Sequence, residues 1–188
     1  PGRDQALARV AGFVAAMGRV GIPVLDYDFF LYAPLPATGE AETRGARSRE
    51  FDLARAGEFA PLLDASPTPE AMWENHRVMM AALLPAAEAA GVRLALHPDD
   101  PPVPELLGVP RVFGTMDAYR RALREFDSPA WGVLFCVGTW AEGGEAMGME
   151  IPEAIRFFAE RGKLLTVHFR NVSAPLPRFT ETFLDNGY

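Results

Sequence analysis

The stretch GVRLALH at residues 91–97 decides the fold class, because it leads from the end of a helix through a short apolar run to a histidine. The segment before it, residues 69–90, carries apolar residues at helical spacing, and a glycine suits the left-handed turn that ends a helix. The same pattern recurs along the chain, with apolar runs at 22–27, 131–137 and 164–169. Nearly continuous apolar strands that alternate with helices are typical of a parallel sheet covered by helices. The sequence therefore predicts one α/β domain over residues 1–188.

Each predicted strand ends in a polar side chain. Counting six residues from the helix-to-strand junction of each unit reaches Tyr27, His97, Cys136 and His168. A parallel β/α barrel places its active site at the carboxyl ends of its strands, so this alignment predicts a site at that edge. A complete barrel takes about 250 residues, whereas this chain has 188 residues and four such strands. We therefore expect an incomplete parallel barrel with exposed edges, truncated from a longer chain.

The composition excludes several classes of protein. Of the 188 residues, 49% are hydrophobic and 23% are charged, as in an ordinary folded domain, and the formal net charge is −7. This acidic balance argues against binding to nucleic acid or to an anionic membrane, because phosphate binding needs clustered positive charge. No run approaches the roughly 20 apolar residues of a membrane span, the N-terminus lacks a signal-peptide pattern, and a single cysteine fits a reducing compartment. We expect a cytoplasmic protein.

His97, Cys136 and His168 are candidate ligands of one metal ion. The gaps between them, 39 and 32 residues, match single β/α units, so three adjacent strands would bring the side chains together. Two imidazoles and a thiolate suit a divalent transition metal better than magnesium or calcium. Taken alone, each of these residues is at least as well explained by a packing or structural role.

Two carboxylates and two arginines accompany the candidate ligands. Asp99 and Asp100 follow His97 in the proline-rich loop HPDDPP. We expect them either to orient the metal ligands through hydrogen bonds or to form a turn. Arg170 and Arg111 are the candidate anchors for a substrate carboxylate, because a guanidinium donates two parallel hydrogen bonds. The alternative for each arginine is a solvated or structural ion pair.

Together these motifs resemble the mannonate dehydratase family. The resemblance rests on HPDDPP at 97–102, GVPR at 108–111, CVGT at 136–139 and HFRN at 168–171, in this order and spacing. It covers most of the chain after Trp73. It implies a TIM (β/α)8 barrel of the xylose-isomerase-like type, of which this chain would hold about four central β/α units. It also implies a hydro-lyase that removes water from D-mannonate to give 2-dehydro-3-deoxy-D-gluconate in hexuronate catabolism.

The resemblance further implies a divalent metal, Mn²⁺ before Fe²⁺, held by His97, Cys136 and His168. The family's fourth protein ligand, an aspartate, and its catalytic histidine and tyrosine would lie beyond Tyr188. We expect a homodimer that takes a small sugar acid. The residues that we assign to substrate binding are Arg170, Arg111, Asn171 and Tyr27.

The chain departs from the family pattern near its first strand. It reads Tyr27-Asp28-Phe29-Phe30 where family members tend to have Tyr-Asn-Phe-Met, followed by a tryptophan and an Arg-Thr pair. Residues 32–49 are predicted to form a long loop or lid, and residues 178–186 are predicted to begin a fifth helix. The departures leave the substrate open. The alternatives are a related sugar-acid dehydratase, another metal-dependent TIM-barrel sugar isomerase, and a truncated or degenerate non-catalytic paralogue.

Overall fold

The computed structural model describes residues 2–31 and 37–188. Its helices are α1 Arg3–Arg19, α2 Leu53–Ala56, α3 Pro69–Ala90, α4 Met116–Glu125, α5 Val137–Gly143 and α6 Ile151–Glu160, with a 3-10 turn at Gly144–Met147. Its strands are β1 Val24–Tyr27, β2 Gly39–Thr43, β3 Ala46–Asp52, β4 Arg93–Leu96, β5 Glu105–Leu106, β6 Val109–Pro110, β7 Trp131–Cys136, β8 Leu164–His168, β9 Asn171–Val172 and β10 Arg178–Thr182. They form a four-stranded parallel sheet, a four-stranded antiparallel sheet and the small β5–β6 pair.

The parallel sheet contains β1, β4, β7 and β8, paired in the order in which they occur along the chain. A helix precedes each strand, and three of the junctions use glycine as predicted: Gly21 has φ +77°, Gly91 has φ +66° and Gly162 has φ +64°. Glycine adopts this left-handed conformation without a steric penalty. The predicted α/β class and the parallel arrangement are therefore confirmed.

The two faces of the parallel sheet pack against different surroundings. Successive strand residues point to opposite faces, so Trp131 and Phe135 of β7 join the helices in the main hydrophobic core. Leu134 and Cys136 belong to the other face, where they pack with Ala95 of β4 in a smaller cluster. We call this second face the inner face. The candidate ligand Cys136 therefore lies on the inner face, at the carboxyl end of its strand.

The antiparallel sheet lies where the sequence predicted a loop and a helix. Its strand order is β2, β3, β10, β9. The prediction of a long loop at 32–49 is wrong for residues 39–43 and 46–49, which belong to a hairpin, while residues 32–36 lie outside the described part of the chain. The prediction of a helix at 178–186 is also wrong, because β10 is extended and pairs with β3 and β9.

The hairpin is hard to find in the sequence because its strands are highly charged. Arg44 and Gly45 both have positive φ, +50° and +80°, which is typical of the two-residue turn that matches the twist of antiparallel strands. The charged residues of β2 and β3 hide the apolar alternation that marks a strand. The sheet is stabilised by Phe51 of β3 and Phe179 of β10, whose buried rings stack with centroids 5.6 Å apart.

One edge of the parallel sheet exposes large apolar side chains. On and just after β8, Val167 is 49% exposed and Phe169 is 70% exposed. Among the described residues no strand pairs with β8 on the side away from β7. This agrees with the predicted exposed edge.

The helices of the described residues bear on membrane insertion. Within residues 2–31 and 37–188, none of them combines the length and the apolar character needed to span a bilayer.

Candidate metal centre

Three strands of the parallel sheet bring His97, Cys136 and His168 together. His97 follows β4 directly, while Cys136 and His168 are the last residues of β7 and β8 and stand opposite each other in the register. Each side chain offers one ligand atom, and these atoms all lie within 4.8 Å of one another. The two imidazole rings are 5.3 Å apart between centroids. The structure thus places the three predicted ligands in one group, which we call the ligand group.

The ligand group has the chemistry of a transition-metal site. Two imidazole nitrogens and a thiolate sulfur suit a divalent transition ion. Cys136 is fully buried whereas His168 is exposed, so the group has a covered side and an open side. Catalytic metal centres in proteins likewise combine about three protein ligands with an open position. The residues present therefore fit a bound divalent ion.

The surroundings of Cys136 favour its ionised form. Burial raises the pKa of the Cys136 thiol, but the hydrogen bond with His97 and the positive charge of Arg170 outweigh this, so the pKa lies below its usual range. The backbone N–H of Thr139 also donates to Sγ at 3.5 Å. Because the thiolate is the form of cysteine that binds a metal, these contacts prepare Cys136 for that role.

The carboxylate that contacts His97 belongs to Asp28, which the motifs did not single out. Oδ1 of Asp28 lies 3.2 Å from Nδ1 of His97, and the carbonyl oxygen of Pro98 lies 2.6 Å from the same nitrogen. Burial lowers the pKa of His97, but the hydrogen bonds with Asp28 and Cys136 outweigh it and raise the pKa to about 10. The sequence predicts that Asp99 or Asp100 orients the candidate ligands; in the structure, the carboxylate in contact with the His97 ring is that of Asp28.

Tyr27, a predicted substrate-binding residue, faces away from the ligand group. It pairs with Leu96, so the count of six residues puts it one position out of step with His97, and Asp28 takes the place beside His97. A shift of one residue moves a strand side chain to the opposite face of the sheet. The Tyr27 hydroxyl accepts a hydrogen bond from Trp131 Nε1 at 2.9 Å, and burial raises the pKa of Tyr27. The structure therefore places Tyr27 against the main core, away from the ligand group, and the strand register is the signal that separates the two faces. A contact between Tyr27 and a substrate stays a prediction.

Asp99 and Arg111 form a buried pair within the loop that follows β4. Oδ1 of Asp99 lies 3.7 Å from Nη1 of Arg111, and Oδ2 accepts a hydrogen bond of 2.6 Å from the backbone N–H of Phe113. Burial raises the pKa of Asp99 to about 6, against the lowering effect of the Arg111 charge. Arg111 is 4% exposed and lies over the ring of Phe30, 5.1 Å from its centroid. The structure thus shows Arg111 in a structural ion pair, the alternative to a substrate anchor.

Asp100 and Arg170 belong to a network of charged side chains between the two sheets. We call it the arginine–carboxylate network; its members are Arg49, Asp100, Glu142, Arg170 and Glu181. Arg170 donates to Asp100 and to Glu142 at 2.7 Å each, and Arg49 donates to the same two carboxylates at 2.9 Å. Glu181 of β10 lies 3.3 Å from Arg170. The Arg170 guanidinium is therefore held in ion pairs and is not directed at the ligand group as a free anchor.

Glu142 is the most buried member of this network. Its side chain is 0% exposed, and burial, with the negative charge of Asp100, raises the pKa of Glu142 to about 9 despite the two arginines. Glu142 lies inside α5, and Arg49 lies in the segment that the sequence predicted to be a loop. Neither residue belongs to a recognisable motif, so sequence reasoning missed both. Only the packing of the antiparallel sheet on the loops of the parallel sheet brings them together.

The network meets the ligand group at Thr139. The Thr139 hydroxyl accepts a hydrogen bond from Arg170 at 3.0 Å, and its backbone N–H donates to the thiol of Cys136. Asn171, the remaining predicted substrate residue, lies in β9 and makes two other contacts: Oδ1 accepts from the N–H of Val172 and Nδ2 donates to the carbonyl of Leu184. A contact between Asn171 and a substrate stays a prediction.

Comparisons with known proteins identify one family. The family described as D-mannonate dehydratase (UxuA) matches residues 54–187. A mannonate dehydratase from Streptococcus equi subsp. zooepidemicus is 29% identical over 215 residues, in an alignment that covers 97% of this chain and 56% of the relative. The chain thus spans about half the length of the curated relatives it matches.

Solved structures share the fold. The crystal structure of mannonate dehydratase from Streptococcus suis serotype 2 is 27% identical with a TM-score of 0.84, over 96% of this chain and 54% of that one. A xylose isomerase-like TIM barrel protein from Mycobacterium smegmatis is 15% identical with a TM-score of 0.53, over 90% of this chain and 46% of that one, which shows the fold alone. The parallel sheet is therefore that of a partial TIM barrel. Because the family match covers more than half of its residues, this chain belongs to the D-mannonate dehydratase family.

Proposed function

We propose that this protein removes water from D-mannonate to give 2-dehydro-3-deoxy-D-gluconate, with a divalent ion, Mn²⁺ before Fe²⁺, held by His97, Cys136 and His168. The observation that carries the proposal is the grouping of three ligand atoms within 4.8 Å at the carboxyl ends of neighbouring parallel strands. A TIM barrel carries its active site at that edge. The names of the relatives supply the substrate.

The reaction removes a proton next to a carboxylate and releases a hydroxyl group. When bound, a divalent ion supplies positive charge that stabilises the negative charge developing on the substrate oxygens. Cys136 brings a thiolate to the site, because His97 and Arg170 hold the pKa of its thiol below the usual range. His168 forms the open side, from which a small sugar acid reaches the group.

The described residues supply the ligand group and its support, and we assign no acid or base among them. The resemblance assigns those roles to a histidine and a tyrosine of the family pattern that would follow Tyr188. We further propose that β1, β4, β7 and β8 are central strands of a complete (β/α)8 barrel. Their sequential parallel order and the coverage of about half of each relative support this.

An aldose–ketose isomerase is the alternative from another class of enzyme. It would act on neutral sugars and would need no group that recognises a carboxylate. The likeness to a xylose isomerase-like barrel at 15% identity concerns the fold and does not favour this activity. The non-catalytic alternative differs from both in predicting no turnover of any sugar or sugar acid.

The test is metal analysis combined with substrate profiling of the full-length protein. We expect a stoichiometric divalent metal and the formation of a 2-keto acid from D-mannonate, with no interconversion of neutral aldoses and ketoses. His97→Ala and Cys136→Ser are each expected to lose both the metal and the activity, because each removes one of three protein ligands.

The controls separate the parts of the proposal. Retention of stoichiometric metal in both variants would show that the ligand assignment is wrong. Metal binding in the wild type together with isomerisation of neutral sugars, or with no turnover at all, would instead contradict the dehydratase activity.

A further inference from the structure

Asp28 stands beside the ligand group and is not one of its three donors. It directly follows β1, and because Tyr27 pairs with Leu96, Asp28 lies next to His97 across the strand pair. Its Oδ1 is 3.2 Å from Nδ1 of His97. Among the described residues, Asp28 has the only carboxylate within ion-pair distance of either histidine of the group.

The two nitrogens of His97 have different neighbours. Nδ1 is close to both Asp28 and the carbonyl oxygen of Pro98, and both of these oxygens are hydrogen-bond acceptors. Nδ1 must therefore carry hydrogen to satisfy them. An imidazole binds a metal in its neutral form, in which only one nitrogen carries hydrogen; with that hydrogen on Nδ1, the nitrogen that offers a lone pair to the metal is Nε2.

We propose that Asp28 is a positioning residue of the metal centre: its carboxylate accepts the Nδ1–H of His97 and thereby presents Nε2 to the divalent ion. The inference rests on the proposed metal-dependent function. Metal-binding histidines in proteins commonly donate their second N–H to a carboxylate, which sets the orientation of the ring and makes the ligand more basic.

The other nearby carboxylates are occupied elsewhere. Asp99 binds the N–H of Phe113 and faces Arg111, and Asp100 is held by two arginines of the arginine–carboxylate network. Asp28 forms no ion pair with an arginine among the described residues, and its side chain is 52% exposed. Removing its carboxylate therefore leaves the buried ion pairs intact.

Asp26 provides a matched control on the same strand. It lies two residues before Asp28, so the two side chains share one face of β1. Its carboxylate accepts a hydrogen bond of 2.8 Å from the hydroxyl of Thr166 and forms no ion pair with His97. Asp26→Asn removes one negative charge near the group without touching the His97 contact.

The experiment measures the binding of Mn²⁺ and Co²⁺ to the metal-free full chain by titration calorimetry and, for Co²⁺, by visible absorption. We expect Asp28→Ala to weaken metal binding by about 10-fold or more. Asp28→Asn keeps an oxygen acceptor and is expected to lose less. Asp26→Asn should stay within about 2-fold of wild type, because an exposed charge without a direct contact is screened by salt.

The Co²⁺ spectrum provides a readout that a general loss of stability would not change in the same way. We expect Asp28→Ala to alter the absorption bands of bound Co²⁺, since a free His97 ring changes the ligand geometry, while the thermal unfolding midpoint of the metal-free chain stays near that of wild type. Asp28→Asn should largely restore the wild-type spectrum.

Two results would overturn the inference in distinguishable ways. If Asp28→Ala and Asp26→Asn bind both metals equally well and give the wild-type spectrum, the Pro98 carbonyl alone orients His97 and Asp28 has no such role. If the wild-type chain binds neither metal, the proposed metal centre fails, and the role of Asp28 fails with it.

Discussion

The ligand group and the arginine–carboxylate network lie side by side but differ in how their polar side chains are paired. In the network, arginine and carboxylate groups pair with one another at 2.7–2.9 Å, although the buried Arg49 Nε and Glu142 Oε2 atoms have no hydrogen-bond partner within the described part of the chain. In the ligand group, two imidazoles and a thiol converge with an exposed side and without an ion pair to an arginine. Opposite charges that pair with one another stabilise the packing of the two sheets, whereas neutral and thiol ligand atoms that converge beside an exposed side chain are available to a cation.

The same loop and the same strand end contribute to both regions. His97 joins the ligand group and Asp100, three residues later, joins the network; His168 and Arg170 divide in the same way. Neighbouring positions in a motif therefore need not share a role. The following substitutions test this division, beginning with the largest expected effect.

Arg170→Met should have the largest effect on stability. It leaves Asp100 and Glu142 with a single arginine in a largely buried setting, and removing one partner of a buried ion pair costs about 3 kcal/mol. Urea denaturation of the metal-free chain measures the loss. The matched control is Arg120→Met, whose partner Asp117 is 87% exposed and for which we expect a change below about 1 kcal/mol. Equal losses in the two variants would show that the network adds no particular stability.

Glu142→Gln should change how stability depends on pH. The pKa of Glu142 is raised to about 9 from 4.5, so between these values the folded chain holds a proton that the unfolded chain has lost. Stability then falls as pH rises through this window, with a slope of up to about 1.4 kcal/mol per pH unit. The glutamine variant lacks this proton and should show a flatter profile.

Urea midpoints measured from about pH 5 to about pH 9 provide the comparison for Glu142. Glu160→Gln, at an exposed position near the end of α6, is the control and should reproduce the wild-type slope. Parallel profiles for wild type and Glu142→Gln would mean that Glu142 is ionised throughout and that the network carries one more negative charge.

Tyr27→Phe tests whether the Tyr27 hydroxyl contributes to the hydrophobic core or to the ligand group. The change removes the acceptor of the hydrogen bond from Trp131 Nε1, and leaving a buried donor unsatisfied costs about 1–3 kcal/mol. Calorimetric titration with Mn²⁺ should give an unchanged affinity, because the hydroxyl lies away from the ligand group. A weaker metal affinity at unchanged stability would show that the Tyr27 hydroxyl contributes to the ligand group and not to the core.

Arg44→Asn should have the smallest effect and the opposite sign. Arg44 occupies a left-handed conformation in the β2–β3 turn, where asparagine is tolerated better than arginine. We expect a gain of about 0.5 kcal/mol, less what is lost with the exposed ion pair to Asp185. Thermal unfolding measures it. Asp185→Asn isolates the ion pair, and a loss in Arg44→Asn larger than in Asp185→Asn would contradict the turn assignment.

The ligand group was predictable because its spacing is a local property of β/α units. Helical periodicity, the glycine at the helix end and the apolar run are each read from neighbouring residues, and they place His97, Cys136 and His168 at the ends of successive strands. The preference for a divalent transition ion is likewise predicted from the residue types alone. The parallel sheet and the grouping of the three candidate ligands were therefore predictable from the sequence.

Tertiary structure alone decided which side chains support the group. The register of β1 against β4 places Asp28 beside His97 and turns Tyr27 towards the core. This register depends on pairing between residues that lie 69 positions apart in the chain. The arginine–carboxylate network depends on the docking of a hairpin whose charged strands carry no apolar pattern. Sequence periodicity reports which face of an element is apolar, whereas partners across a sheet or between two sheets are chosen by packing and charge pairing in three dimensions.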